Sequence, residues 1–189
     1  MNPENDAFVV VDVETSGTNP FVHQVLAVAF APINESISPV SIYVRDAPIT
    51  WSAWAKTNFE QFAPNWEHGA VDPVRACSQI EAFLLAHYGG RDVTLVGHNV
   101  GFDLAFLRKL AFAGGREELA HISHRGIDTH TLLYALSKRG LYPAASMSSE
   151  AAFQHFSISV PQGARHTALG DALATRQLFL RIVKLLGSE

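Results

Sequence analysis

The sequence predicts an α/β domain in which an antiparallel meander is joined to parallel βαβ units, and three observations predict it. Three apolar or alternating segments, at Phe8–Thr15, Val22–Ala31 and Val40–Arg45, follow one another across brief turns. From Asp72 onward, strand-like and helix-like segments alternate at the spacing of βαβ units. With 189 residues, 48% hydrophobic and 17% charged, the chain can bury a full core, and a single domain over residues 1–189 is expected.

Each element has a local reason. Phe8-Val9-Val10-Val11 is an unbroken apolar run, as expected of a central strand covered on both faces. It ends in Asp12-Val13-Glu14-Thr15. Side chains alternate along a strand, so Asp12 and Glu14 share one face and Val11 and Val13 the other. Thr18-Asn19-Pro20 and Pro32-Ile33-Asn34 are the expected turns of the meander. The stretch from Asp46 to Asp72 is the least regular and holds Trp51, Trp54 and Trp66. Trp51/Trp54 and Phe59/Phe62 are each three apart, as on short helical turns. Packing over the sheet edge, a stacking platform and a subunit contact are the three readings of this segment.

Asp72-Pro73 then opens a helix, with Asp72 as cap and Pro73 at the first helical position. Ile80, Phe83, Leu84 and His87 share its face, and Gly89-Gly90 ends it. Val93–Val96 predicts a short buried strand, and Leu104, Leu107, Leu110 and Ala111 predict the helix after it, stopped at Gly114-Gly115. Ile127-Asp128-Thr129 predicts a strand end leading into a helix with Leu132, Leu133 and Leu136. Ser146 to Phe156 reads as a small helix capped by Ser148 or Ser149, and Pro161-Gln162-Gly163 as a loop. The last helix, from about Thr167, is expected to turn Leu169, Leu173, Phe179, Leu180, Val183 and Leu186 to the core. Gln177-Leu178-Phe179-Leu180 has the outline of a clamp-binding peptide, but its place in an apolar helix predicts core packing instead.

Composition bounds the function classes. Cys77 is the single cysteine and can form no internal disulfide, which fits a reducing, cytoplasmic setting. No basic cluster precedes the first apolar run, so no secretory signal is expected, and no run approaches the ~18 apolar residues of a membrane span. The formal net charge of −4 does not advertise nucleic-acid binding. Two bound divalent cations would bring that charge to zero and invert the local field.

The candidate chemistry lies in the acidic residues at a strand end and near helix starts. Asp12 and Glu14 side by side on a buried strand would repel, and a cation between them removes that cost. Hard oxygen ligands suit Mg²⁺ or Mn²⁺, whereas the bland reading leaves both in solvent at the strand end. Asp103 lies near the start of the helix that follows Val93–Val96, and strand ends are where sites form in open α/β sheets. Asp171 lies one turn into the last helix. His166, five residues earlier, can cooperate with it only if it precedes the helix proper. The other eight histidines are read as structural.

Asp12-Val13-Glu14-Thr15, Asn99-Val100-Gly101-Phe102-Asp103 and His166-Thr167-Ala168-Leu169-Gly170-Asp171 together resemble the three motifs of the DEDDh 3′→5′ exonucleases. That superfamily includes the proofreading subunit of bacterial replicative DNA polymerase, RNase T and oligoribonuclease. The resemblance runs from about residue 8 to 186. Glu67-His68-Gly69-Ala70-Val71 also resembles the His-Gly segment of these enzymes, with Ala70 and Asp72 departing from it.

The resemblance implies a ribonuclease H-like fold, with a five-stranded mixed sheet, three strands antiparallel and two parallel, flanked by helices. It implies a metal-dependent 3′→5′ exonuclease on single-stranded nucleic acid, DNA modestly preferred, with an RNA-trimming enzyme as the alternative. A catalytically silent binding module is the alternative of another class. Two cations, Mg²⁺ or Mn²⁺, are implied. Asp12 would bridge both, Glu14 and Asp171 would complete one, and Asp103 would serve the other. His166 would act as general base. Glu14 and the Thr15 amide would hold the 3′-OH, and Asn99 and Phe102 would contact the terminal nucleotide, Phe102 being equally readable as core. A homodimer, with the Trp-rich segment as its expected contact, and a polymerase or repair partner are both compatible with the resemblance.

Overall fold

Val9, Val10 and Val11 are at most 1% exposed, because β1 (Phe8–Thr15) runs through the middle of a five-stranded sheet. The structure is a computed structural model, and it describes residues 7–60, 69–143, 147–161 and 163–187. The other strands are β2 (Val25–Pro32), β3 (Val40–Tyr43), β4 (Val93–Gly97) and β5 (Ile122–Asp128). Their spatial order is β3-β2-β1-β4-β5. The first three are antiparallel, and β4 and β5 continue the sheet in parallel from β1. This is the mixed sheet expected from the sequence.

The helices among the described residues are α1 (Ala53–Phe59), α2 (Pro73–Tyr88), α3 (Val100–Ala113), α4 (Thr129–Lys138), α5 (Ser149–His155) and α6 (Ala168–Leu186). Their starts follow capping chemistry. The side chains of Ser52, Asp72, Asp128, Ser148 and Thr167 each accept a backbone N–H of the first turn. Gly89 closes α2 in the left-handed conformation with φ 61°.

The alternation of β1 divides the core. Val9, Val11 and Val13 face α2 and α3, among Ala76, Ile80, Leu84, Phe106 and Leu110. Val10 faces α6, among Ala27, Ala29, Ala31, Ala168, Ala172 and Phe179. The alanines on both sides let α6 lie close to the sheet. Each fully buried valine contributes about 1.5–3 kcal/mol, which offsets the repulsion of the carboxylates that follow on the same strand. A third cluster joins α4, α5 and α6 through Leu133, Phe153, Leu178 and Ile182.

Three expectations change. Val22 lies 44% exposed in the turn before β2, which starts only at Val25. Leu186 is 45% exposed rather than in the core. It sits in the final turn of α6, while Leu178 and Ile182 fill the buried face. Trp51 and Trp54 do not share a helical turn, because Ser52 caps α1 and leaves Trp51 outside it. Trp51 packs with Leu26, Ala55 and Phe59, whereas Trp54 is 64% exposed. Phe62, Trp66, Glu67-His68, Ser146 and Gln162 lie outside the described residues. Leu178 and Phe179 are buried, as core packing requires. Among the described residues no helix is long and apolar enough to cross a membrane.

Candidate active site

The site forms where β1 loses one of its neighbours. Pairing with β4 covers only Phe8, Val9 and Val10, whereas pairing with β2 continues to Thr15. Beyond Val10 the β4 side of β1 is open, and the start of α3 fills the gap. The freed amide of Val13 donates to Oδ1 of Asp103 at 3.0 Å. Asp103 is 6% exposed, in the first turn of α3, as its position after β4 predicted. The register between β1 and β2 shifts between Glu14 and Thr15, an irregularity of the kind that re-aims side chains beside sites.

On the other face α6 brings Asp171 to the same place. One carboxylate oxygen from each of Asp12, Glu14 and Asp171 lies within 4.8 Å of the others. Asp103 stands outside this trio and faces it electrostatically. Burial raises the Asp12 pKa well above the carboxylate range, and Asp103, Glu14 and Asp171 add to it while Arg165 opposes. Burial pushes Glu14 up to about 8, with Asp171 adding and Arg165 opposing. Burial likewise pushes Asp103 up to about 8, against the stabilising amide of Val13. Crowded oxygens, little solvent and a single nearby guanidinium make a donor set that fits a hard divalent cation.

That guanidinium belongs to Arg165, which sequence reasoning missed. Its Nη1 pairs with Oδ1 of Asp171 at 2.5 Å, and the group also lies 5.2 Å from the Phe153 ring centre. The sequence signal was its place next to His166 in a chain whose acidic residues converge nearby. His166 precedes α6, as its cooperation with Asp171 requires. It is exposed, with φ 59°, and its ring makes no hydrogen bond among the described residues. A tight turn pins it, since the Ala164 carbonyl accepts the Thr167 hydroxyl at 2.7 Å and the Thr167 amide at 3.3 Å. A left-handed non-glycine residue costs roughly 1–2 kcal/mol, and such outliers concentrate at functional sites. Gly170 serves the same turn, because a Cβ there would overlap the Ala164 carbonyl oxygen.

Asn99, φ 67°, is another left-handed residue and caps α3 without its side chain. Its amide donates to Asp128 Oδ1 at 2.7 Å, and Asp128 also accepts from the His130 amide and the Thr131 hydroxyl. Asp128, not predicted as a site residue, carries the strand-end signature that singled out Asp103. A groove beside Asn99 is lined by His98, His130, Met147, Ser148 and Ser149. Burial, then His130, pushes His98 below its ordinary range. Phe102 is half-buried and touches Phe106, ring centres 4.8 Å apart, so it packs on the core with one side open. Thr15 is 7% exposed, and its hydroxyl donates to the Gly17 carbonyl, which turns the chain sharply after Glu14.

The backbone superposes on solved structures of exonuclease I with a TM-score of 0.77, over 96% of this chain and 41% of that one, at 17% identity. The fold is that of exonuclease I. A zinc-bound complex of E. coli exonuclease I with single-stranded DNA matches with a TM-score of 0.74, at 17% identity, over 96% of this chain and 41% of that one. Its complex with a dT13 oligonucleotide matches at 0.72 and 16% identity, over 95% and 41%. In sequence the chain is 38% identical over 101 residues to a DNA polymerase III subunit epsilon-like protein of Rhodobacter capsulatus. That stretch is 53% of this chain and 13% of the relative. This chain therefore spans less than half of exonuclease I and a small part of the epsilon-like protein. No family model matches the chain. The sequence likeness to the epsilon-like protein thus covers half of the chain, and the fold likeness to exonuclease I nearly all of it.

Proposed function

We propose that this chain is a metal-dependent 3′→5′ exonuclease that removes nucleoside monophosphates from single-stranded nucleic acid, with DNA favoured. The observation that carries the reading is the convergence of Asp12, Glu14 and Asp171 within 4.8 Å, beside Asp103, where β1 and β4 part. The exonuclease I fold, solved in complex with single-stranded DNA, supports it.

Asp12, Glu14 and Asp171 would hold one divalent cation, Mg²⁺ or Mn²⁺, and Asp12 with Asp103 a second. Bound there, such ions neutralise phosphate charge and lower the pKa of a coordinated water. The remaining work falls to the chain itself. His166, in a pinned turn ahead of α6, takes the proton of the attacking water. Glu14 and the Thr15 amide take the terminal 3′-OH at the blunt end of β1, which orients the last phosphodiester. Phe102 supplies an apolar wall for the last base, and Asn99 flanks it. Arg165, paired with Asp171 at the edge of the carboxylates, would meet the phosphate.

Digestion of matched labelled DNA and RNA oligonucleotides with Mn²⁺ tests this. Mononucleotides should be released from free 3′-OH ends, and a 3′-phosphate should slow release sharply. Nicking of closed circular single-stranded DNA, lost in Asp12→Asn, would contradict the reading. Faster release from RNA would move the substrate to RNA trimming.

A further inference from the structure

Phe21 and Phe112 are 93% and 82% exposed, and they line one groove. Two exposed rings on one groove form a contiguous apolar patch, and such patches mark interaction sites. The groove, of about 570 Å³, is walled by Pro20 and Phe21 on one side and by Ala105, Arg108, Lys109 and Phe112 of α3 on the other. In a chain with 18 acidic and 14 basic side chains, the groove contains no carboxylate. Among the described residues neither Arg108 nor Lys109 has an ion-pair partner.

Phe21 does not project by accident of a loose loop. The Asn19 side chain accepts the Phe21 amide at 3.0 Å, and the Asn19 carbonyl accepts the amides of Val22 and His23. The Asn19 amide in turn donates to Nδ1 of His23 at 2.9 Å. The His23 ring fills the place a Cβ on Gly17 would take. Phe21 is therefore held out into solvent by a wired loop that begins just after Thr15. On α3, Ala105, Arg108/Lys109 and Phe112 recur at the spacing of one helix face, opposite the buried Phe106, Leu107 and Leu110. The same face begins at Phe102, three residues before Ala105 and half-buried beside Phe106, whereas Asp103 lies on the buried side of the helix. From Phe102 to Phe112 the face runs about 15 Å, at 1.5 Å per residue.

We propose that this groove is the track along which the single strand enters the site. Phe21 and Phe112 stack on unpaired bases, and Arg108 and Lys109 hold the phosphates between them. Exposed rings interleaved with unpaired cations are the chemistry that recognises single strands without sequence preference. The proposal rests on the nuclease reading and names the surface that keeps a strand seated behind its 3′ end.

The test measures binding apart from cleavage. Fluorescein-labelled dT12 and rU12 are titrated in EDTA by anisotropy with the full chain, Phe21→Ala/Phe112→Ala and Arg108→Gln/Lys109→Gln. Losing two stacking platforms should weaken binding by roughly 30-fold or more. Losing two phosphate contacts should lower the salt slope by about 1.4. In parallel, Mn²⁺-dependent hydrolysis of the p-nitrophenyl ester of thymidine 5′-monophosphate, too short to reach the groove, should be unchanged in both variants. Wild-type failure on the ester, with oligonucleotide binding still lost in the variants, would sink the nuclease reading and leave the track standing. Unchanged oligonucleotide affinity and salt slope in both variants, or no wild-type binding, would overturn the track and leave a protein partner as its occupant.

Discussion

Replacing Glu14 by Gln should stabilise the metal-free protein, and the gain should grow with pH. Glu14 has an ordinary value of 4.5 and is pushed up to about 8 by burial, with Asp171 adding. Its folded-state pKa is raised, so its contribution to stability is fully present below 4.5 and is lost as pH rises through about 8. At pH 7 the unfolded chain would ionise Glu14 while the folded one keeps it protonated. A gap of about 2.5 units at 1.36 kcal/mol each is about 3 kcal/mol against folding. At pH 5 the same difference is under ~1 kcal/mol. Gln has nearly the same shape and no proton to lose. For a domain of this size 1 kcal/mol is roughly 2–4 °C in Tm, so Glu14→Gln should melt roughly 6–12 °C higher than wild type at pH 7, and within a few degrees at pH 5. Calorimetry in EDTA at both pH values measures this. The same scans with Mn²⁺ should raise the wild-type Tm by more than that of the variant, since binding to the folded state alone adds RT ln(1 + [L]/Kd). A Tm difference that is the same at pH 5 and pH 7 would show that Glu14 is not held protonated by its surroundings. An undiminished Mn²⁺ shift in the variant would remove Glu14 from the ligand set.

Arg165→Gln should tighten Mn²⁺ binding about 5-fold by titration calorimetry, because the guanidinium on Asp171 competes with the ion and such a partly buried pair is worth about 1 kcal/mol. Weaker binding in that variant would show that Arg165 supports the ion instead of excluding it. His166→Ala should lower kcat on single-stranded DNA by roughly two to four orders of magnitude, as for a positioned base, with the Mn²⁺ Kd unchanged. Near-normal turnover at pH 7 would remove the base role.

Much of this molecule is written in short-range pattern. Strand β1 follows from its valines, the faces of Asp12 and Glu14 from a period of two, and the helix starts from Asp72, Asp128, Ser148 and Thr167, each of which caps as its residue type predicts. These features depend on neighbours within a turn or two, so the sequence alone determined them. The angle between positions five apart also made any cooperation of His166 with Asp171 depend on His166 preceding the last helix, which it does. Other features are set by contacts between distant segments. Asp171 meets Asp12 only because Ala27, Ala29 and Ala31 let Ala168 and Ala172 settle against β2. Asp103 finds the amide of Val13, ninety residues away in the chain, only because β4 stops pairing at Val10. Arg165 becomes the counter-charge of Asp171, and Phe21 comes to face Phe112, through the same closing of loops onto a packed sheet. Local periodicity says which way a side chain points along its own element. What it points at is decided when the elements pack, because alanine against alanine and an unpaired amide against a carboxylate are matched across the fold.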